Sequence, residues 1–254
     1  MAKFLHSGKY GDLIYSLWTI KALGGGELLF NLTNGSLCNE EGFLFCKPLM
    51  ERQSYITKVE KIIFNSNLEN NRGEKLFCRQ DINNPDLLIL DNAWYWRIYP
   101  ETHHWIHRYA YTFGVKVNPN DQVLHVQITQ KKWEERPIIL NLTSTFRTKD
   151  DSFYNSLIQR SDVIKVGNRP ECGEKVYDNM YDLAYEIANS KFFIGNQSCC
   201  NAIAQGLQHP RIIEMEYQYG DTYPIGEYGF ILSDNLDKDL EMMIEKSKMY
   251  WSNI

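Results

Sequence analysis

Asp12 lies in the stretch Lys3-Phe-Leu-His-Ser-Gly-Lys-Tyr-Gly-Asp-Leu-Ile-Tyr-Ser-Leu17, between a short apolar run and a segment with helical apolar spacing. Phe4 and Leu5 read as the end of a buried strand, and Leu13, Ile14, Leu17, Ile20 and Leu23 mark one helix face. Gly8 and Gly11 allow the turn between them. A carboxylate in the first turn of that helix can take a proton from an attacking hydroxyl. The same position also suits an acid that only caps its own helix, worth about 0.5 to 2 kcal/mol. His6 and Lys9 flank the glycine turn and are candidates for contacting an acceptor, although a strand-end histidine is equally often structural.

A second constellation sits late in the chain. Lys191-Phe-Phe-Ile-Gly-Asn-Gln-Ser-Cys-Cys-Asn-Ala-Ile-Ala-Gln-Gly-Leu207 reads as a buried strand, a turn and a helix. Free backbone N–H groups at a helix N-terminus bind phosphates. Gly195 would permit close approach, and Asn196, Gln197 and Ser198 would add side-chain bonds, unless Ser198 merely caps the helix. His209-Pro-Arg-Ile-Ile-Glu214 is the next strand, ending in a carboxylate suited to ribose hydroxyls. Ligands of open α/β sheets gather beyond the carboxyl ends of the strands. Arg147 and Lys149, after an earlier strand, are therefore candidates for phosphate oxygens, and Arg169 is a weaker one.

Trp94, Trp96 and Arg97 follow the apolar strand ending near Leu90 and are an expected acceptor platform, with loop anchoring as the plainer alternative. His104 and His107 share a helix face but lack an acidic partner at a familiar spacing, so no metal site is expected there.

The elements that must hold these residues alternate strand and helix from end to end, which implies α/β layers with largely parallel sheets. Strands are expected near 3–6, 27–32, 58–64 and 86–91, with helices near 12–23, 40–52 and 101–113. Residues 65–85 read as a long loop with a short strand at 75–78. After a polar, charged stretch around 127–137, a second set begins. Its strands fall near 138–142, 162–166, 191–195, 210–214 and 228–232, and its helices near 151–159, 180–189, 198–207 and 236–251. This divides the chain into two domains, 1–130 and 131–254, and the apolar last helix of the second would pack on the body or back on the first domain.

With 43% hydrophobic residues in 254 and no run near the ~18 apolar residues of a membrane span, the composition is that of a soluble protein, and a cytoplasmic location is expected. Six cysteines include no C-x-x-C pair, which argues against a disulfide scaffold or a zinc site. A net charge of −5 provides no general attraction to nucleic acid.

On these two constellations the chain resembles the heptosyltransferase-like glycosyltransferases of family 9, which have the two-Rossmann-domain GT-B architecture. Gly11-Asp12 with its apolar helix matches the family's N-terminal motif. Phe193 to Ser198, with the following helix and Pro210, stands where the family has an Asp-Thr-Gly phosphate loop; here the loop reads Gly-Asn-Gln-Ser. The resemblance implies a GT-B-like fold with two sheets facing a central cleft. It also implies sugar transfer from a nucleotide-sugar co-substrate to a hydroxyl acceptor, a glycan or other polymer, with inversion and Asp12 as base. No cofactor is required; a divalent metal is compatible with the chemistry, but no Asp-x-Asp motif demands one. Two alternatives stay open: a phage-type enzyme acting on hydroxymethylated DNA bases, and a non-catalytic nucleotide-sugar-binding protein.

Overall fold

The computed structural model describes residues 1–6, 9–32, 39–63, 80–81, 84–90, 104–142, 147–216 and 222–254. The chain divides into two compact units, Met1–Pro119 and Asn120–Ile254.

In the first unit β1 (Lys3–His6), α1 (Tyr10–Ala22), β2 (Gly26–Asn31), α2 (Glu40–Met50) and β3 (Ile56–Ile62) alternate, followed by β4 (Gln80–Asp81), β5 (Asn84–Ile89) and α3 (Trp105–Thr112). The sheet order is β3-β2-β1-β5-β4. All pairs are parallel except β4 with β5. Leu5, Leu29, Leu87 and Ile89 form one core cluster of this sheet, because the parallel register puts Leu5 beside both Leu29 and Ile89. Helix α1 is buried along its whole middle, from Asp12 to Ile20, so its N-terminus is fixed by packing. The turn before β2 needs glycine: Gly25 has φ +76°, and a Cβ there would fall 2.0 Å from the Tyr55 carbonyl oxygen. The expected short strand at 75–78 lies outside the described residues. The two-residue β4 was not foreseen, since it has no length over which a period could show.

In the second unit β6 (Ile138–Leu140), α4 (Asn155–Ile158), β7 (Val163–Lys165), α5 (Met180–Ala188), β8 (Phe193–Asn196), α6 (Cys199–Gly206), β9 (Arg211–Glu214), β10 (Gly229–Ile231) and α7 (Leu236–Ser252) build an all-parallel sheet of order β10-β9-β8-β6-β7. From β6 the chain steps outward to β7, then returns past it to β8 and continues the other way. The strand order therefore reverses between β6 and β8, and such a switch point opens a crevice at the carboxyl ends of the strands. One face of this sheet is covered by Tyr154, Leu157 and the α7 residues Leu236, Leu240 and Met243, which pack on Leu140, Ile194 and Ile212.

The unit boundary falls some way before residue 130, where the sequence reading set it. The polar stretch after Asn120 has its hydrogen bonds in the second unit. The Val123 and Leu124 amides donate to the Gly206 carbonyl, both at 2.9 Å, and the Thr129 amide donates to Asn189 Oδ1 at 2.7 Å. The last helix also packs within its own unit: Trp251 Nε1 donates to the Ser190 carbonyl at 3.1 Å. No helix among the described residues is long and apolar enough to cross a membrane.

Candidate functional site

Strand β8 runs between β6 and β9 with Asn196 beside Glu214 and Ile194 beside Leu140 and Ile212. Side chains alternate across a sheet, so Asn196 and Glu214 emerge on one face at the carboxyl edge, beyond the apolar cluster of Ile194 and Ile212. Asn196 is fully buried, and among the described residues neither its Oδ1 nor its Nδ2 has a hydrogen-bond partner. A buried amide left in that state costs about 1 to 3 kcal/mol. Such cost concentrates where a ligand completes the bonding.

Ser198 is the N-cap residue of α6, yet its side chain makes no capping bond. Its Oγ donates instead to Asn141 Oδ1 at 3.1 Å, and Asn141 Nδ2 in turn donates to the Val166 carbonyl at 2.9 Å. The simple capping role weighed for Ser198 is thus not the one it has. The opening N–H groups of α6 lack a side-chain cap from it, directly beside Asn196 at the switch point. Gly195 serves by closeness of approach: a Cβ would lie 2.5 Å from the Phe193 ring and 3.1 Å from the Asn141 carbonyl oxygen, so glycine lets β8 end tightly against β6. Cys200, in the first turn of α6, is pushed up to about 12 by burial, which keeps it a thiol and unsuited to nucleophilic attack at neutral pH.

Two expected ligand-binding residues have their polar groups engaged inside the protein. Glu214 is 1% exposed. Its Oε1 accepts from the Thr148 amide, the Lys149 amide and, at 3.1 Å, the Thr148 hydroxyl, while Oε2 accepts from Tyr154 Oη at 2.7 Å. It fastens the 147–149 segment to the sheet, and such a set fills a carboxylate's acceptor positions. Burial, then the bond to Glu214, holds the Tyr154 phenol protonated well above its usual range. Gln197 likewise bridges loops, accepting from the Glu216 amide at 2.7 Å and donating to Thr222 Oγ1 at 2.9 Å.

Through Glu214 the segment delivers its two cations. Arg147 Nη1 donates to Asp151 Oδ1 at 2.6 Å, whereas its buried Nε and Nη2 have no hydrogen-bond partner among the described residues; Nε lies 3.9 Å from Glu214 Oε2. Lys149 pairs with Asp234, an acid that is almost fully exposed. Arg169 is tied to buried Glu174 at 2.8 Å, which removes it as a phosphate ligand. Asn141, Tyr154 and Asp234 were not anticipated. Asn141 alone carried a signal, as the first polar residue after the Ile138-Ile-Leu140 run.

In the first unit Asp12 is 8% exposed, three residues into α1, and its Oδ2 accepts from the Lys9 amide at 3.3 Å. It holds the helix start, as a capping acid does. Lys9 is the exposed N-cap residue. His6 is 1% exposed at the end of β1 and packs edge-on against Phe30 with ring centroids 6.3 Å apart. His104 is the N-cap of α3, its Nδ1 accepting from the Ile106 amide at 3.2 Å. Trp94, Trp96 and Arg97 lie outside the described residues. Among the described residues no group of three or more His, Cys, Asp or Glu is placed to hold a metal ion.

The described residues define a two-unit α/β protein with a strand-order switch point in its second sheet. No family model and no curated protein matches the sequence. Solved structures match the fold. The glycosyl transferase family 9 protein of Veillonella parvula DSM 2008 aligns over 96% of this chain and 89% of its own, with a TM-score of 0.58 at 12% identity. The E. coli heptosyltransferase WaaC with ADP-2-deoxy-2-fluoro heptose aligns over 97% and 99%, with a TM-score of 0.49 at 12% identity. The iron-containing dodecameric glycosyltransferase TibC of enterotoxigenic E. coli H10407 aligns over 92% of this chain and 62% of its own, with a TM-score of 0.49 at 13% identity.

Proposed function

We propose that the protein is a glycosyltransferase that binds a nucleotide-sugar donor in the switch-point crevice of its second unit and transfers the sugar to a hydroxyl acceptor. The reading rests on one observation: the fully buried, unpartnered Asn196 amide stands beside an α6 N-terminus that Ser198 leaves uncapped. A diphosphate supplies acceptors for both, and for the free Nε and Nη2 of Arg147. The fold shared with the Veillonella parvula glycosyl transferase accords with this reading.

In the transfer itself the acceptor oxygen attacks the anomeric carbon, its proton passes to the Asp12 carboxylate, and the bond from that carbon to the diphosphate oxygen breaks. The departing charge is stabilised by Arg147, Lys149 and the α6 N–H groups. A single candidate carboxylate acting as base accords with inversion. The test is calorimetry with nucleoside diphosphates and their sugars. Binding should occur and weaken on Arg147→Ala; a chain that binds none of them loses the assignment.

A second reading is a nucleotide-sugar-binding protein without turnover. It is favoured by Asp12 accepting from the Lys9 amide, which accounts for that carboxylate as a helix cap. Donor binding without transfer to any acceptor, glycans and hydroxymethylated DNA included, would select it.

A further inference from the structure

The strands of the second sheet all run the same way, so their amino ends lie at the edge opposite the switch-point crevice. At that edge the last turn of α7 meets segment 128–136, in which Trp133–Glu135 form a 3-10 turn, and the two border an open pocket of about 390 Å³, within the range of small-molecule sites. Lys131, Lys132, Trp133, Arg136, Lys248 and Trp251 line it together with Ile254, and among the described residues no Asp or Glu side chain lines it.

Arg136 is 3% exposed. Among the described residues its guanidinium bonds to neutral groups, the Thr129 carbonyl at 2.8 Å and the Asn189 carbonyl at 3.3 Å included, and Nε has no hydrogen-bond partner. It stacks 3.5 Å from the Trp251 ring centroid. No carboxylate among the described residues forms an ion pair with it; Glu135 attracts it only at a distance. A buried cation without a counter-ion is expensive. Lys248 lies 5.0 Å from the Trp133 ring centroid, and Lys131 and Lys132 are exposed at the rim. Among the described residues none of these three lysines has an ion pair either. By contrast Lys191, also over Trp133, is neutralised by Asp162 at 2.6 Å. Four uncompensated positive charges thus surround one concavity walled by two indoles.

We propose that this pocket is a second anion site, taking a small organic phosphate whose phosphate meets the lysines in the field of Arg136 while its ring lies against Trp133 and Trp251. The site is independent of the donor assignment, since it occupies the other edge of the sheet and shares no residue with it. Two tryptophans in the wall make emission a direct readout.

The full-length protein is titrated with inorganic pyrophosphate, with inorganic phosphate and with ribose 5-phosphate. Each should produce a saturable change in tryptophan emission, with ribose 5-phosphate tighter than inorganic phosphate. Affinity should fall by about tenfold or more in the triple variant Lys131→Ala, Lys132→Ala, Lys248→Ala, whose positions are on the surface. It should persist in Asn196→Leu, which disables the donor crevice. No saturable change up to about 10 mM, or equal affinity in the triple variant, overturns the site. Equal binding of phosphate and ribose 5-phosphate overturns the part assigned to the indoles. Loss in Asn196→Leu with retention in the triple variant assigns the signal to the crevice and also overturns the proposal.

Discussion

Replacing Asn196 with leucine should stabilise this protein and disable it at once. The side chain is fully buried at the end of β8, on the face that carries Ile194, and both of its polar atoms lack a hydrogen-bond partner among the described residues. Leucine has nearly the same shape and no polar atom to desolvate, so the substitution removes a penalty of about 1 to 3 kcal/mol and opens no cavity. For a folding unit of this size about 3 °C accompanies each kcal/mol, so the unfolding midpoint should rise by roughly 3 to 9 °C in scanning calorimetry without ligand. Nucleoside diphosphate binding should weaken by about 10- to 100-fold, the loss of one charge-assisted hydrogen bond. The two curves should cross: ligand raises the midpoint of the parent protein and leaves that of the variant nearly unmoved. A variant less stable than the parent would show that the amide is satisfied in the free protein. Unchanged affinity would show that it does not face the ligand. Either result refutes the reasoning.

Glu214→Ala should cost about 3 to 5 kcal/mol in urea unfolding, because it strands the Thr148 and Lys149 amides and the Tyr154 hydroxyl together, and should also weaken donor binding by releasing Arg147. A residue that only touched ribose would lose affinity with stability intact, so an unchanged urea midpoint counts against the fastening role. Asp12→Asn should leave donor affinity within about twofold and abolish transfer, because amide oxygen retains the bond from the Lys9 amide but takes no proton; full turnover removes Asp12 from the base role. His209 is buried beside Ser190 Oγ at 2.9 Å, and burial first, then the charges of Arg211 and Arg136, push its pKa down to about 3. It is neutral when folded and protonates near 6.5 when unfolded. Stability should therefore be complete above that pH and fall by about 1.4 kcal/mol per pH unit on acidification toward 3. His209→Gln should flatten that slope in urea titrations between about pH 6 and 4, and an unaltered slope would deny the assignment.

The strand and helix pattern was legible because each parallel strand is a short apolar run buried on both faces, and each helix repeats its apolar side chains every three or four residues. Phe4-Leu5, Ile138 to Leu140 and Phe193-Ile194 were readable for that reason. So was the placement of Asp12 and Ser198 at helix starts, since helix entry depends on a few adjacent residues. What a polar side chain does there was less readable. Glu214 looked like a free strand-end acid, but its partners come from Thr148, Lys149 and Tyr154, some sixty residues earlier. His6 looked poised at a turn until Phe30 of the neighbouring strand covered it.

Local spacing thus decides which segments become strands and helices, because those choices depend on residues a few positions apart. Which strands are neighbours is another matter. The reversal between β6 and β8, which opens the crevice, comes from long-range pairing that no local period encodes. The same pairing satisfies Ser198 through Asn141 and leaves Asn196 without a hydrogen-bond partner among the described residues, and the pocket around Arg136 likewise exists only once α7 has folded across segment 128–136. Hydrogen bonding and charge compensation are settled by contacts between residues far apart in the chain, so they become visible only when the sheet has assembled.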